Sequence, residues 1–265
     1  MRTVRILRPA LALNGVLLAL CAAGTGAARA APAAATQAQG EPAQTPSTTG
    51  QGQGRGLIGE KGGLAAWAHP EGRGPIYVRP DTRSRRLARV RLFNADGFLE
   101  VYPLLRGYMA PDGREWVKVR VPGRPNGRTG WAERELLGPV HHARWRIVVN
   151  RRARRMRVFY RGRLLRVFPV GVGKPSTPTP AGRFWIDERF KLSNPRNPYW
   201  PYALGTSDYS SLPNWPGEGV IGIHGPFGEP QKIPGDPSHG CIRMLSRDIS
   251  WLGPRVTLGT PVVVE

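Results

Sequence analysis

Turn clusters cut this 265-residue chain into segments suited to strands rather than helices. Between Leu57 and Pro139 the runs "PDTRS", "APDGRE" and "PGRPNGRTG" separate short apolar stretches, the pattern of a small all-β unit. Within it "EWVKVRV" alternates. Trp116, Lys118 and Arg120 face one way and Val117, Val119 and Val121 the other, so one face of this strand is expected to be buried. Beyond Ala143 the same grammar continues: "RWRIVVN" and "RMRVFYRGRLLRVFPVGVG" read as strands, the second folding back at Arg161-Gly162 into a hairpin. Three prolines in "GKPSTPTPAGRFWI" bar a helix before the next strand. "GVIGIHG" reads as a buried strand running into His224, and "TPVVVE" as a final strand. The exception is "SRDISWLG", a short helix with Ser246 as its expected N-cap and Asp248 in its first turn. The aromatic, Pro-rich stretch from Asn194 to Trp215 is of the kind that forms lids or binding walls.

The first thirty residues belong to a different category. Arg2, Arg5 and Arg8 precede the apolar run "ALALNGVLLAL" and small residues ending Ala28-Arg29-Ala30, the layout of a secretory signal cut after Ala30. The run falls short of the roughly 20 residues that a membrane-spanning helix needs, so no stable transmembrane anchor is expected. A lipid anchor on Cys21 is the alternative, and Leu20 before it argues against that reading. Residues 31–56 hold no large apolar side chain and read as a disordered linker. The expected layout is a signal peptide at 1–30, that linker, a β domain at 57–139 and a second domain at 143–265.

The formal charge is +21, and removing residues 1–30, with four arginines and no acid, leaves +17. Such a balance suits an anionic partner, and export makes acidic envelope polymers more available than nucleic acid. Between Arg144 and Val167 stand ten arginines and no acid, so the hairpin there presents a basic face or a merely solvated one. Only Trp145, Phe159 and Tyr160 interleave with that charge, too few aromatics for a single-strand nucleic-acid site.

Loss of Cys21 with the leader leaves Cys241 alone, and no internal disulfide can form. A lone thiol sent to an oxidising compartment is either an intermolecular bridge or a reactive group. Its setting, "PGDPSHGCIRM", has too many turn residues to be ordinary core, which favours the nucleophile. Sulfur attacks as thiolate and needs a base, the role to which histidine is best matched. His239, at i−2, would share a side with Cys241 in an extended segment, and His224 would reach it from an adjacent strand. Gly240 frees the backbone beside the thiol, so that the amides of Gly240 and Cys241 could face an oxyanion. The bland readings are a packing coincidence or a three-ligand zinc fragment made of His224, His239 and Cys241. Ser238 reads as a turn hydroxyl and Arg243, at its plainest, as a surface charge. Nothing calls for a cofactor.

Two resemblances follow from these residues. "IYVRPDTRS" and "GRTGWAERELLG", with Gly130-Trp131, resemble the opening and closing strands of bacterial SH3-like barrels, which would put Trp131 in a core. "IGIHGPFGEPQKIPGDPSHGCIRM" resembles the signature of YkuD-type L,D-transpeptidases at His224, Gly225, Ser238, His239, Gly240, Cys241, Ile242 and Arg243, and "TPTPAGRF" is similar to another segment of that family. The fold class implied is mainly β: an N-terminal SH3-like small barrel plus a C-terminal YkuD-like mixed β-sheet domain with a short helix. The activity implied is acyl transfer on peptidoglycan stem tetrapeptides, forming 3→3 cross-links in the periplasm or cell envelope. Cys241 would be the nucleophile and His224 the base, oriented through the carbonyl of Gly225, while His239 and Arg243 shape the site and Arg243 pairs with a substrate carboxylate. The rivals are a carboxypeptidase or endopeptidase that passes the same acyl-enzyme to water, and a non-catalytic wall-binding protein.

Overall fold

The structure is a computed structural model and describes residues 36–37, 64–210, 212 and 219–265. The leader, most of the linker, Cys21 and Trp215 lie outside the described residues. Among the described residues two sheets and one short α-helix make up the fold, as the turn-rich, strand-length segments require. No helix among them is long and apolar enough to cross a membrane.

Strand β1 (Thr36–Gln37) pairs with a strand of the second sheet. The first sheet contains β2 (Ala65–Ala68), β3 (Pro75–Tyr77), β4 (Arg86–Arg89), β5 (Tyr102–Met109), β6 (Glu115–Arg120), β7 (Thr129–Glu133) and β8 (His141–Ala143), in the order β4-β3-β7-β6-β5-β2-β8. It extends to Ala143, so residues 140–142 are not a bare connection between the units. Val117, Val119 and Val121 pack with Ile76, Tyr102, Leu104 and Ala132, as their alternation predicts. The other face of β6 is not left to water: Trp116 is also buried, with the Tyr77 ring edge-on at 5.6 Å. Trp131 departs from expectation by standing half-buried outside the core. Its neighbours are the reason. Ala132 faces the core, and Gly130 sits so close to Ile76 that a Cβ would lie 2.5 Å from its Cγ2, so period-two alternation puts Trp131 on the far face, edge-on to Tyr108.

The second sheet takes β9 (Trp145–Asn150), β10 (Arg155–Tyr160), β11 (Arg163–Pro169), β12 (Gly171–Gly173), β13 (Gly182–Lys191), β14 (Tyr202–Tyr209), β15 (Val220–His224), β16 (Gly235–Ser238), β17 (Ile242–Arg243) and β18 (Pro261–Val264). Their order is β11-β10-β9-β18-β13-β14-β15-β17-β12-β16. The long strand β13 joins its halves, pairing with β18 over Gly182–Trp185 and with β14 from Ile186 onward. The sheet is mixed: β18 runs parallel to β9, β15 to β17 and β12 to β16. Helix α1 (Ser246–Leu252) sets Ile249 and Leu252 against Ile147, Met156, Val158, Phe168, Ile223 and Ile242. Each such buried aliphatic side chain contributes about 1.5–3 kcal/mol. The helix begins without the expected cap. Leu245 holds the N-cap position in an extended conformation and Ser246 is the first helical residue, because the chain leaves β17 still extended.

The two sheets meet over a substantial interface. Trp67, Val101 and Ala143 pack on Trp185, and the Trp67 ring lies on Gly259, where a Cβ would stand 2.2 Å from it. Asn94 donates to Glu188 at 2.6 Å, and Asn126 donates to Asp208 at 2.7 Å and to the Tyr209 carbonyl at 3.0 Å.

Candidate active site

Strand register builds the site. Ile223 pairs with Ile242 and His224 with Arg243 across the parallel β15–β17 ladder, and both isoleucines enter the core. Successive side chains of a strand alternate, so His224 and Arg243 leave on the opposite face. Two residues back from this pair come Gly222, on that same face by the same alternation, and Cys241, the residue that leads into β17. A Cβ on Gly222 would sit 3.8 Å from His224 Cδ2, so the imidazole lies against the glycine on that face. Cys241 is partly exposed and forms no disulfide.

The imidazole is buried and its tautomer is set. His224 Nδ1 lies 2.8 Å from the Gly225 carbonyl oxygen, which can only accept, so Nδ1 carries the proton and Nε2 keeps its lone pair. Tyr199 meets the ring edge-on at 4.6 Å. Burial pushes the imidazole down to about 3, the Gly225 hydrogen bond opposing and the charge of Arg243 adding to the shift. The imidazole is therefore neutral near neutral pH. Gly225 is required by proximity: a Cβ there would stand 1.8 Å from the Trp200 carbonyl oxygen.

A hydrogen-bonded turn carries the thiol. Ser238 Oγ donates to the Cys241 carbonyl at 2.6 Å and accepts from the Gly240 amide at 3.1 Å. Thr179 Oγ1 donates to the Gly240 carbonyl at 2.7 Å and accepts from the Gly173 amide at 2.9 Å, tying the turn to the loop before β13. Gly240 has φ of +132°, and a Cβ on it would stand 2.6 Å from Ile221 Cδ1. Two expectations change here. The Gly240 amide is engaged by Ser238, which removes it from the oxyanion donors. His239 and Gly240 form a bend between β16 and β17, so the same-side relation of residues i and i+2 does not apply to His239. His239 is half-buried, its imidazole held below the ordinary range by desolvation and by the charges of Lys174 and Arg243.

Arg243 is no surface charge. It is buried, its guanidinium donates to Glu229 at 2.6 Å and lies 4.7 Å from the centre of the Phe227 ring, and Glu229 also holds Lys232. Glu229 thus engages the Arg243 guanidinium, and the strand register sets Arg243 opposite His224. Among the described residues no group of three or more His, Cys, Asp or Glu side chains is placed to hold a metal ion.

The second sheet with its thiol turn has relatives. Residues 144–264 match the family model YkuD, described as the L,D-transpeptidase catalytic domain. The C-terminal unit is a YkuD domain. The YkuD protein of Bacillus licheniformis is 37% identical over 120 residues, which cover 45% of this chain and 65% of that protein. L,D-transpeptidase 1 of Mycobacterium tuberculosis is 32% identical over 112 residues, covering 39% and 43%. This chain thus spans just under two thirds of the Bacillus relative and less than half of the mycobacterial one. A crystal structure of an L,D-transpeptidase from Mycobacterium tuberculosis H37Rv aligns over 57% of this chain and 90% of its own, at 15% identity and a TM-score of 0.38. Within the YkuD domain, Thr179, Tyr199, Phe227 and Glu229 join the site without having been singled out from sequence. Of these, Thr179 lay in the quoted "TPTPAGRF" and Phe227 and Glu229 in "IGIHGPFGEPQKIPGDPSHGCIRM", while Tyr199 lay in the Pro-rich stretch.

Proposed function

We propose that this protein is an exported L,D-transpeptidase that joins peptidoglycan stem peptides through a Cys241 thioester. The observation that carries the reading is that the β15–β17 ladder pairs His224 with Arg243, two residues after Cys241, while the tie of His224 Nδ1 to Gly225 leaves Nε2 able to accept a proton. Nε2 takes the thiol proton as Sγ attacks the carbonyl of the third residue, a diamino acid, of a tetrapeptide stem. The tetrahedral intermediate collapses by breaking the bond to the terminal D-alanine, whose amine receives that proton from His224. An amine on a second stem then attacks the thioester, its proton returns through His224 to sulfur, and a 3→3 link remains. Arg243 and Lys174 keep the local field positive.

Incubation of the full chain with a disaccharide tetrapeptide, followed by mass analysis, tests this. The expected product is a dimer that has lost one D-alanine. Cys241→Ala is expected to form none while keeping an unchanged circular dichroism spectrum, and product from that variant would overturn the mechanism.

A further inference from the structure

Within the YkuD domain, large apolar side chains that stand open to water gather on one strand. Leu164, Leu165 and Val167 are 52%, 49% and 44% exposed, and they are the exposed large hydrophobics of this domain among the described residues. They lie on β11, the edge of the second sheet. Val158 pairs with Arg166 but Phe159 with Leu164, so Leu165 is the extra residue of a bulge and sits out of the ladder.

The register supplies the charge. Val167 lies opposite Arg157, Arg157 opposite Val148, Val148 opposite Val263, and Val263 opposite Arg183, which places them in one row on one face. In the next row Leu164 lies opposite Phe159 and Phe159 opposite Arg146, whose guanidinium stacks 4.5 Å from the Phe159 ring centre. The acid on this face is Glu265, paired with Arg157 at 2.6 Å. An apolar rim backed by guanidinium groups is thus built along the sheet edge.

We propose that the β10–β11 hairpin and the arginine-bearing face beside it dock this protein on an anionic lipid bilayer. Guanidinium groups match phosphate headgroups, and half-exposed leucine and valine enter the boundary between headgroup and acyl chain. A soluble polyanion would use the arginines and leave the leucines in water. A second copy pairing edge to edge would bring Arg163 and Arg166 of both chains together, which like charges oppose. Six strand steps separate β11 from β15, on the order of 29 Å at the usual strand spacing. Docking at this edge therefore leaves the thiol turn accessible, and the proposal does not rest on the transpeptidase reading.

Cosedimentation of the full chain with phosphatidylcholine vesicles, with and without about a third phosphatidylglycerol, tests it. The expected result is at least about tenfold stronger partitioning to the anionic vesicles. Replacing Leu164, Leu165 and Val167 together by serine keeps every charge and is expected to reduce that partitioning about tenfold, with heparin retention unchanged. Residues 1–63 are common to all variants, so their own lipid affinity cancels in the ratio. Arg146→Gln with Arg183→Gln provides a second readout and is expected to abolish the preference for anionic lipid. Equal partitioning to both vesicle types, or a serine variant that sediments like the parent, would overturn the proposal; the latter would mark a polyanion surface instead.

Discussion

At the scale of single residues, His224 combines two properties that oppose each other in solution: it is a base, and it is buried where its charged form is disfavoured. Its pKa near 3 predicts that the acid limb of kcat/KM for acylation lies below about pH 5, far from the ordinary histidine value of 6.5. Rates of thioester formation followed from pH 3 to 8 check this, and an inflection near 6.5 would contradict it. His224→Gln is expected to slow acylation by about 10²–10⁴-fold, the range for loss of a general base. Thiol reactivity follows the same dependence. A carbapenem adduct on Cys241, seen by intact mass, is expected in the parent and absent in Cys241→Ala. Gly225→Ala forces a methyl group into the Trp200 carbonyl and is expected to cost about 1–3 kcal/mol or more of stability, read from urea unfolding. Cys241, His224 and Gly225 were legible as letters in a motif. The contact that makes Gly225 necessary was not, because Trp200 lies twenty-five residues away in sequence.

At the scale of elements, the thiol turn and the β10–β11 hairpin show how local chemistry holds a shape. Ser238 bonds both the Gly240 amide and the Cys241 carbonyl, so Ser238→Ala orphans two backbone groups and is expected to cost about 1–3 kcal/mol. It should also lower kcat more than it raises KM, since the displaced group is the proposed nucleophile. In the hairpin, Arg161 and Gly162 both hold positive φ, 47° and 80°, the two-residue turn that asparagine-glycine suits best. Arg161→Asn is therefore expected to stabilise the domain by about 0.5–1 kcal/mol, visible as a raised urea midpoint. The hairpin and its turn were readable from "RMRVFYRGRLLRVF", because period-two alternation and Arg-Gly are local signals. The helix cap and Trp131 were misread for the opposite reason: Leu245 takes its conformation from β17, and Trp131 its direction from the crowding at Gly130.

At the scale of the whole molecule, buried acids gather where the sheets meet. Burial pushes Asp208 up to about 8 and Glu188 up to about 10, and holds Asp187 well above the usual carboxylate range. The neighbours Glu100 and Asp96 add to the shift of Asp187 while Arg91 opposes it, and Glu100 is itself raised by burial despite its pairing with Arg91 at 2.7 Å. At neutral pH the unfolded chain ionises Asp208 and Glu188 while the folded chain keeps them largely protonated. Folding then takes up protons, and stability falls as pH rises from about 4 through 8 for Asp208 and towards 10 for Glu188. His224 acts in the other direction, withdrawing stability as pH falls from 6.5 towards 3. The melting temperature is expected to peak in mildly acidic buffer and to drop by several degrees by pH 9. Asp208→Asn with Glu188→Gln should flatten the alkaline slope, which calorimetry across that range would show.

The amino-acid sequence by itself determined the strand-rich class, the hairpin, the basic character of residues 144–167 and the motif that carries Cys241 and His224. Each depends on spacing or residue type within a few positions. Tertiary structure alone decided which amide is spent on Ser238, that Glu229 claims Arg243, and that carboxylates from both units are sealed at the interface. Those outcomes depend on which distant segments exclude water from one another, and linear order does not encode that exclusion in any local pattern.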